Sequence, residues 1–297
     1  MLGPLASLAS SFTWAIGSSA YSPLSKKYSG LTVNICRALM ALPLFFLLIT
    51  LSGHWSDFSV LSLREVLWLA TGMVASYCSG DALFLFSSQS LGVPGALAIT
   101  SCYPIWSALA GSLFLGQSLK IPSLLALLMA VGGVVLVVLS DVRKEKISKD
   151  QGNHLFGLFA ALLTSLLWSL NTYANSQVRP EISSAVANSI RMGVALVVCP
   201  VFIFLLQKRG RRHFTVERKD WKRLGWVFGF EGAGGAFFFV YGLTHSPLAV
   251  ASALSSLAPA IAVPIALLSR RESLSKTKVI GVLFAVLGVI WLVTVSR

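Results

Sequence analysis

The chain contains its own pattern twice. Asn34-Ile35-Cys36-Arg37 returns as Asn188-Ser189-Ile190-Arg191, and Trp14 returns as Trp168, both at an offset of 154. Downstream the offset is 155: Ala96 matches Ala251, Ser101 matches Ser256, Pro104 matches Pro259, and Ser118-Leu119 match Ser273-Leu274. The run GVVLVV from Gly133 answers GVIWLV from Gly288. Two strongly apolar copies make an internally duplicated membrane protein. Such duplications build transporters, because the pseudo-twofold between halves creates a site near the bilayer midplane.

Composition identifies the solvent. Of 297 residues 55% are hydrophobic and only 12% are charged, with a mean hydropathy of +0.77. Soluble domains carry about 25% charged residues. A soluble fold cannot hide this much apolar surface, so the chain must sit in lipid. The net charge of +13 does not indicate nucleic acid, since the basic residues lie between apolar runs and no nucleic-acid-binding motif is present. Cys36, Cys78, Cys102 and Cys199 lie inside apolar runs, without metal-like spacing, and the histidines are scattered. We therefore expect no metal site and no cofactor. The first apolar run, from Leu2, lacks a charged leader and a clear cleavage site, and reads as a spanning helix.

A membrane helix needs about 20 mainly apolar residues. Ten spans meet that need, near 3–24, 31–52, 65–90, 94–116, 121–140, 154–176, 184–207, 222–245, 247–269 and 277–296. Gly92-Val93-Pro94 and Ser246-Pro247 punctuate them. The organisation is a first repeat over 1–140, a charged linker over 141–153 and a second repeat over 154–297. Five spans per repeat is odd, so the second copy enters the membrane from the opposite side and the halves are inverted. The predicted fold is thus an all-α membrane protein, ten transmembrane helices forming two inverted five-helix repeats around a central cavity.

Outside the spans, 18 of 22 Lys and Arg fall in loops 1–2, 5–6, 7–8 and 9–10. The positive-inside rule puts that face in the cytoplasm and both termini outside.

Four ionisable residues lie inside spans: Arg37, Asp81, Arg191 and Glu231. Each intramembrane charge costs about 2.5–3.5 kcal/mol on insertion scales, so they must face the interior, a cavity or an interface. Arg37 and Arg191 are equivalent, each with an Asn three residues before it on the same helical face. They either lock the bundle or present a cation to a carboxylate or phosphate. Asp81 aligns with Ala236 and Glu231 near Ser76, so the acids are not equivalent. They either pair with the arginines or titrate and couple movement to a proton. Helical spacing adds Tyr77 to the Asp81 face, and Phe238 and Tyr241 to the Glu231 face, as linings for a partly apolar solute. Pro104, beside Tyr103, and Pro259 are matched hinge candidates, because proline removes an intrahelical hydrogen bond. Trp14 and Trp168, mid-span, are expected to line the interior.

These features resemble the drug/metabolite transporter superfamily, specifically the EamA-type ten-helix transporters. The resemblance rests on the five-plus-five repeat, Trp14 and Trp168, Arg37 and Arg191, and Pro104 and Pro259, each proline followed by a short polar turn. In that turn the family favours a Gly-Glu-Arg-Leu-like string. Here it reads Gly116-Gln117-Ser118-Leu119, and Arg270-Arg271-Glu272-Ser273-Leu274 in the second half. The resemblance implies a basket of ten helices that moves small metabolites by alternating access. It also implies cytoplasmic termini, opposite to the charge count. The expected protein is a multi-pass transporter of the cell (inner) membrane that exports a small organic solute, is not an enzyme, and has the bilayer and the solute as partners, with homodimerisation left open. A flippase for a lipid-linked substrate and a non-transporting membrane subunit are the alternatives.

Overall fold

The computed structural model describes residues 2–21, 27–140, 151–209, 213–268 and 275–296. Residues 141–150 of the charged linker and the string at 270–274 lie outside the described residues, and the linker's last three residues already belong to a helix. The first half runs α1 (Leu2–Tyr21), α2 (Gly30–Ser52), α3 (Asp57–Val60), α4 (Leu63–Met73), a π turn (Val74–Gly80), α5 (Asp81–Thr100), α6 (Tyr103–Leu115) and α7 (Ile121–Leu139). The second runs α8 (Gln151–Ser176), α9 (Ser184–Leu206), α10 (Arg218–Gly229), a π turn (Phe230–Gly235), α11 (Ala236–Thr244), α12 (Leu248–Ser255), α13 (Ala258–Leu268) and α14 (Lys276–Val295). Nine described stretches are long and apolar enough to cross a bilayer, and α1 adds a tenth helix of 20 residues. Leu113, Phe114, Val197 and Leu205 point outward, as a lipid solvent requires.

Local chemistry sets the helix ends. The Ser29 hydroxyl caps α2 by accepting from Thr32 N–H, and Gly53 closes that helix at a φ of 74°. Ser62 and Glu65 form a reciprocal capping box at α4.

The inversion is visible in who touches whom. α2 and α9 are equivalent, yet Gln207, just past the end of α9, donates to Ser29 before α2 at 2.7 Å. At the other end Ser183 N–H, before α9, donates to Asp57, after α2, at 2.7 Å. Equivalent helices therefore run antiparallel. α7 and α14 repeat this: Gly133 lies on Gly281 and Ala285, and Gly288 lies on Ala130 and Ala126. Gly133 and Gly288 occupy equivalent positions, and a Cβ on either would collide with the facing backbone, so the seam depends on small residues.

Two boundaries differ from expectation. α5 stays helical through Gly92-Val93-Pro94, which keeps backbone groups bonded where no water can serve them. The packing still reverses: Ser90 and Leu91 lie on Gly157 near the start of α8, while Tyr103 lies against Trp168 further along it. The second difference is that spans 4 and 9 are each broken, at Ser101-Cys102 and Ser256-Leu257. Pro104 and Pro259 are the second residues of α6 and α13. There proline starts a helix, where the lost N–H was unpaired anyway, so the break precedes the proline.

Candidate functional site: two unlike cradles at the centre

Each half places one π turn at a matching position. A π turn bonds i to i+5 and occurs often at functional sites. Each ends in a glycine, Gly80 or Gly235, related by the 155 offset. Onto each glycine lies the tryptophan of the opposite half. A Cβ on Gly80 would come within 3.0 Å of Trp168 Nε1, and one on Gly235 within 2.8 Å of Trp14 Nε1. The glycine carbonyls also receive equivalent bonds. Thr164 donates to Gly80 at 3.4 Å, and Ser10 donates to Gly235 at 2.9 Å.

The first cradle holds a carboxylate of its own. Asp81 Oδ1 accepts from Trp168 Nε1 at 3.3 Å and Oδ2 from Asn34 Nδ2 at 2.5 Å. Asn34 also donates to the Tyr77 carbonyl at 3.2 Å. Arg37 Nη1 donates to Asn34 Oδ1 at 2.9 Å, and its guanidinium stands 4.8 Å from the Tyr77 ring centre. The same arginine forms an ion pair with Glu231 of the second half. Both charged side chains are largely buried, at 12% and 5% exposure. Removing one partner of such a pair costs about 3–5 kcal/mol.

The second cradle keeps the frame and changes the centre. Arg191 Nη1 donates to Asn188 Oδ1 at 2.5 Å, as Arg37 does to Asn34. Asn188 Nδ2 donates to the carbonyls of Ser184 and Ala236, at 2.8 and 3.0 Å. Ala236 stands where the first half has Asp81. Phe239 fills the middle, 5.1 Å from the Trp14 ring and 5.9 Å from the Arg191 guanidinium. Arg191 is 2% exposed.

Ion pairs join the halves at both ends. At one end Lys27 Nζ lies 2.7 Å from Glu217 and 3.1 Å from Asp220. Glu217 holds the Lys27 ammonium above its usual range, and Lys27 holds the Glu217 carboxyl below its own. At the other end Arg179 Nε donates to Glu65 at 2.9 Å. Together with the Arg37–Glu231 pair, ionic contacts cross between halves at three levels among the described residues.

The structure gathers Arg37, Asp81, Glu231, Tyr77 and Trp168 into one network, with Arg191 and Trp14 in the matching one. Tyr103 joins them from α6: its ring lies 6.3 Å from Trp168, and its hydroxyl donates to Ser252 of the second half at 3.2 Å. Phe238 and Tyr241 do not belong to this centre. Phe238 is 37% exposed on the flank, and Tyr241 stacks between Phe237 and the exposed His245. The physical reason is the π turn. It takes up an extra residue, and one residue rotates a helix by about 100°, so Phe239 faces inward instead. Phe238 separates two apolar clefts of about 340 and 450 Å³ on the lipid side, one against α2 and one against α1.

Sequence reasoning missed Phe239, Asn171 and the two end pairs. Only the matched glycines at 80 and 235 carried a readable signal. Gln117 of the first polar turn also has a structural role: its Oε1 accepts from Leu248 N–H at 2.9 Å, capping α12.

A model of the EamA-like transporter family matches residues 1–139 and again 155–294. The chain belongs to that family. As an EamA-like protein it is a multi-pass membrane transporter. An uncharacterised transporter of Archaeoglobus fulgidus is 26% identical over 200 residues, 67% of each chain. A solved crystal structure shares the fold at a TM-score of 0.78 and 14% identity, covering 100% of this chain and 96% of that one.

Proposed function

We propose that the protein is a secondary transporter that exports a small organic metabolite across the cell membrane by alternating access. The observation that carries this is the Arg37–Glu231 ion pair, which joins the inverted halves at the centre. It lies between one end pair at Lys27–Glu217 and another at Arg179–Glu65. A two-packing carrier needs this arrangement: contacts between halves at both ends that release one at a time, around a fixed site. In this reading the Lys27 end faces the cytoplasm, the side that the positive-inside count favours.

Asp81 and Glu231 are the coupling groups in this reading. Asp81 accepts from Asn34 and Trp168, and Glu231 pairs with Arg37; movement of the halves parts Glu231 from Arg37, freeing a carboxylate to take a proton. The matched breaks before Pro104 and Pro259 supply the flexure. A second reading is a flippase for a lipid-linked solute. It is favoured by the apolar clefts beside Phe238, which face the lipid next to the Glu231 turn. Flux in proteoliposomes under an imposed pH gradient tests the proposal. Asp81→Asn and Glu231→Gln are expected to abolish the pH dependence. Gradient-driven flux that survives both changes combined ends the coupling proposal.

A further inference from the structure

The first cradle shows how this protein holds a carboxylate: an indole N–H from the opposite half, an asparagine amide, and an arginine behind the asparagine. The second cradle repeats each of these donors at an equivalent position. Trp14 lies on Gly235 as Trp168 lies on Gly80, and Arg191 binds Asn188 as Arg37 binds Asn34. What the second cradle lacks is an acid. Ala236 replaces Asp81, and Ser76 stands at the position that mirrors Glu231. The consequence appears at the atoms. Trp14 Nε1 and Arg191 Nε are buried and have no acceptor among the described residues. Among the described residues Arg191 Nη2 reaches only Asn171 Oδ1, at 3.5 Å. Both unused donors belong to side chains that flank the one Phe239 ring.

A buried arginine without a carboxylate is costly, and buried donors are normally satisfied. Random loss of an acid would leave no reason to keep the rest of the frame. The geometry points to a substrate-binding subsite here: Trp14 and Arg191, the latter held by Asn188, recognise the carboxylate of a transported organic acid or amino acid, near the place that Asp81 fills in the other half. Phe239, between the two donors, offers an apolar surface to the rest of the solute. The assignment rests on the transport reading above and adds the substrate class to it. It also gives the two cradles separate tasks. The first carries the protein's own acid, and the second receives the solute's.

The test uses the full-length protein in detergent and a panel of probes: acetate, benzoate and phenylalanine, each beside its amide, with inorganic phosphate as a second anion. Thermal unfolding is followed at millimolar probe. At least one carboxylate is expected to raise the midpoint while its amide does not. Arg191→Gln and Trp14→Phe should each weaken that protection by about tenfold, the loss of one charge-assisted hydrogen bond. Ala236→Asp supplies an internal carboxylate and should remove the protection altogether. Ligand-free midpoints of the three variants report folding, and the wild-type comparison of acid with amide depends on no variant. Amides protecting as well as acids, phosphate alone protecting, no probe protecting, or an undiminished response in Ala236→Asp would each overturn the assignment. Proteoliposomes separate it from the transport reading. Flux of an uncharged solute that no carboxylate inhibits would sink the subsite and leave transport standing.

Discussion

The two cradles have the same scaffold and opposite electrostatics. Gly80 and Gly235, Trp168 and Trp14, Asn34 and Asn188, and Arg37 and Arg191 all correspond, yet the first cradle has Asp81 and, across the halves, Glu231, while the second has Ala236. Duplication supplies two copies of a packing device. Only divergence at its centre can make one copy a self-satisfied ionic contact and the other a buried cation with donors to spare. Where the halves are alike, the residues build a common frame of donors; where they differ, at Asp81 and Ala236, the use of that frame differs.

The comparison is tested hardest at the arginines. Arg37→Met strands Glu231 in a buried position, and we expect it to destabilise the protein by about 3–5 kcal/mol. Arg191→Met removes a buried cation that has no acid beside it, so its cost should be clearly smaller, despite the equivalent position. Adding Glu231→Leu to Arg37→Met should recover most of the lost stability, because an apolar pair replaces a buried ion pair at little cost, while transport stays lost. Urea or thermal unfolding in micelles measures all four proteins. Equal costs for the two arginines would break the distinction between the cradles.

The frame itself should respond evenly. Gly80→Ala puts a methyl 2.8 Å from the Ala75 carbonyl oxygen and 3.0 Å from Trp168. Gly235→Ala puts one 2.7 Å from Thr13 Oγ1 and 2.8 Å from Trp14. Overpacking of this kind costs about 1–3 kcal/mol, and we expect the two values to fall close together. Tryptophan fluorescence should shift in both as the indole is displaced. A large difference between them would mean that the scaffold, too, has diverged.

Much of this was legible in the sequence, and the rest was hidden for definite reasons. The offsets of 154 and 155 exposed the duplication, the odd span count implied the inversion, and four charges in apolar runs marked the centre. The partners of those charges could not be read. Arg37 had two candidate acids, and which one it meets depends on how the halves dock, not on spacing within a helix. The π turns were invisible because an i to i+5 bond has no residue signature. Their extra residue is what turned Phe238 outward and Phe239 inward. The broken spans were legible as paired prolines, but proline marks both a kink and a helix start, and only the structure separates them. Lys27 and Arg179 counted only as loop charges, and Glu217 and Glu65 carried no signal, because nothing along the chain brings residue 65 to residue 179.

The end pairs offer the smallest test. Lys27 and Glu217 are well exposed, at 39% and 53%, so solvent and salt screen their attraction. Lys27 draws the Glu217 carboxyl below its ordinary value, and a group with a depressed folded pKa stabilises the structure above its unfolded value. The contribution is therefore complete near neutrality and fades as the pH falls through and below the ordinary glutamate value of about 4.3. Removing it with Lys27→Gln should change the unfolding midpoint only slightly, and high salt should erase even that. Its effect should appear instead in the balance between the two packings, where a small bias is enough. A cysteine placed at Asn34 in a background with the native cysteines replaced should react faster with a water-soluble maleimide from the Lys27 side in Lys27→Gln than in the parent. Faster reaction from the opposite side, or no change at all, would show that this pair does not hold that end shut. Closing of the Lys27 end would then fall to the Arg37–Glu231 contact.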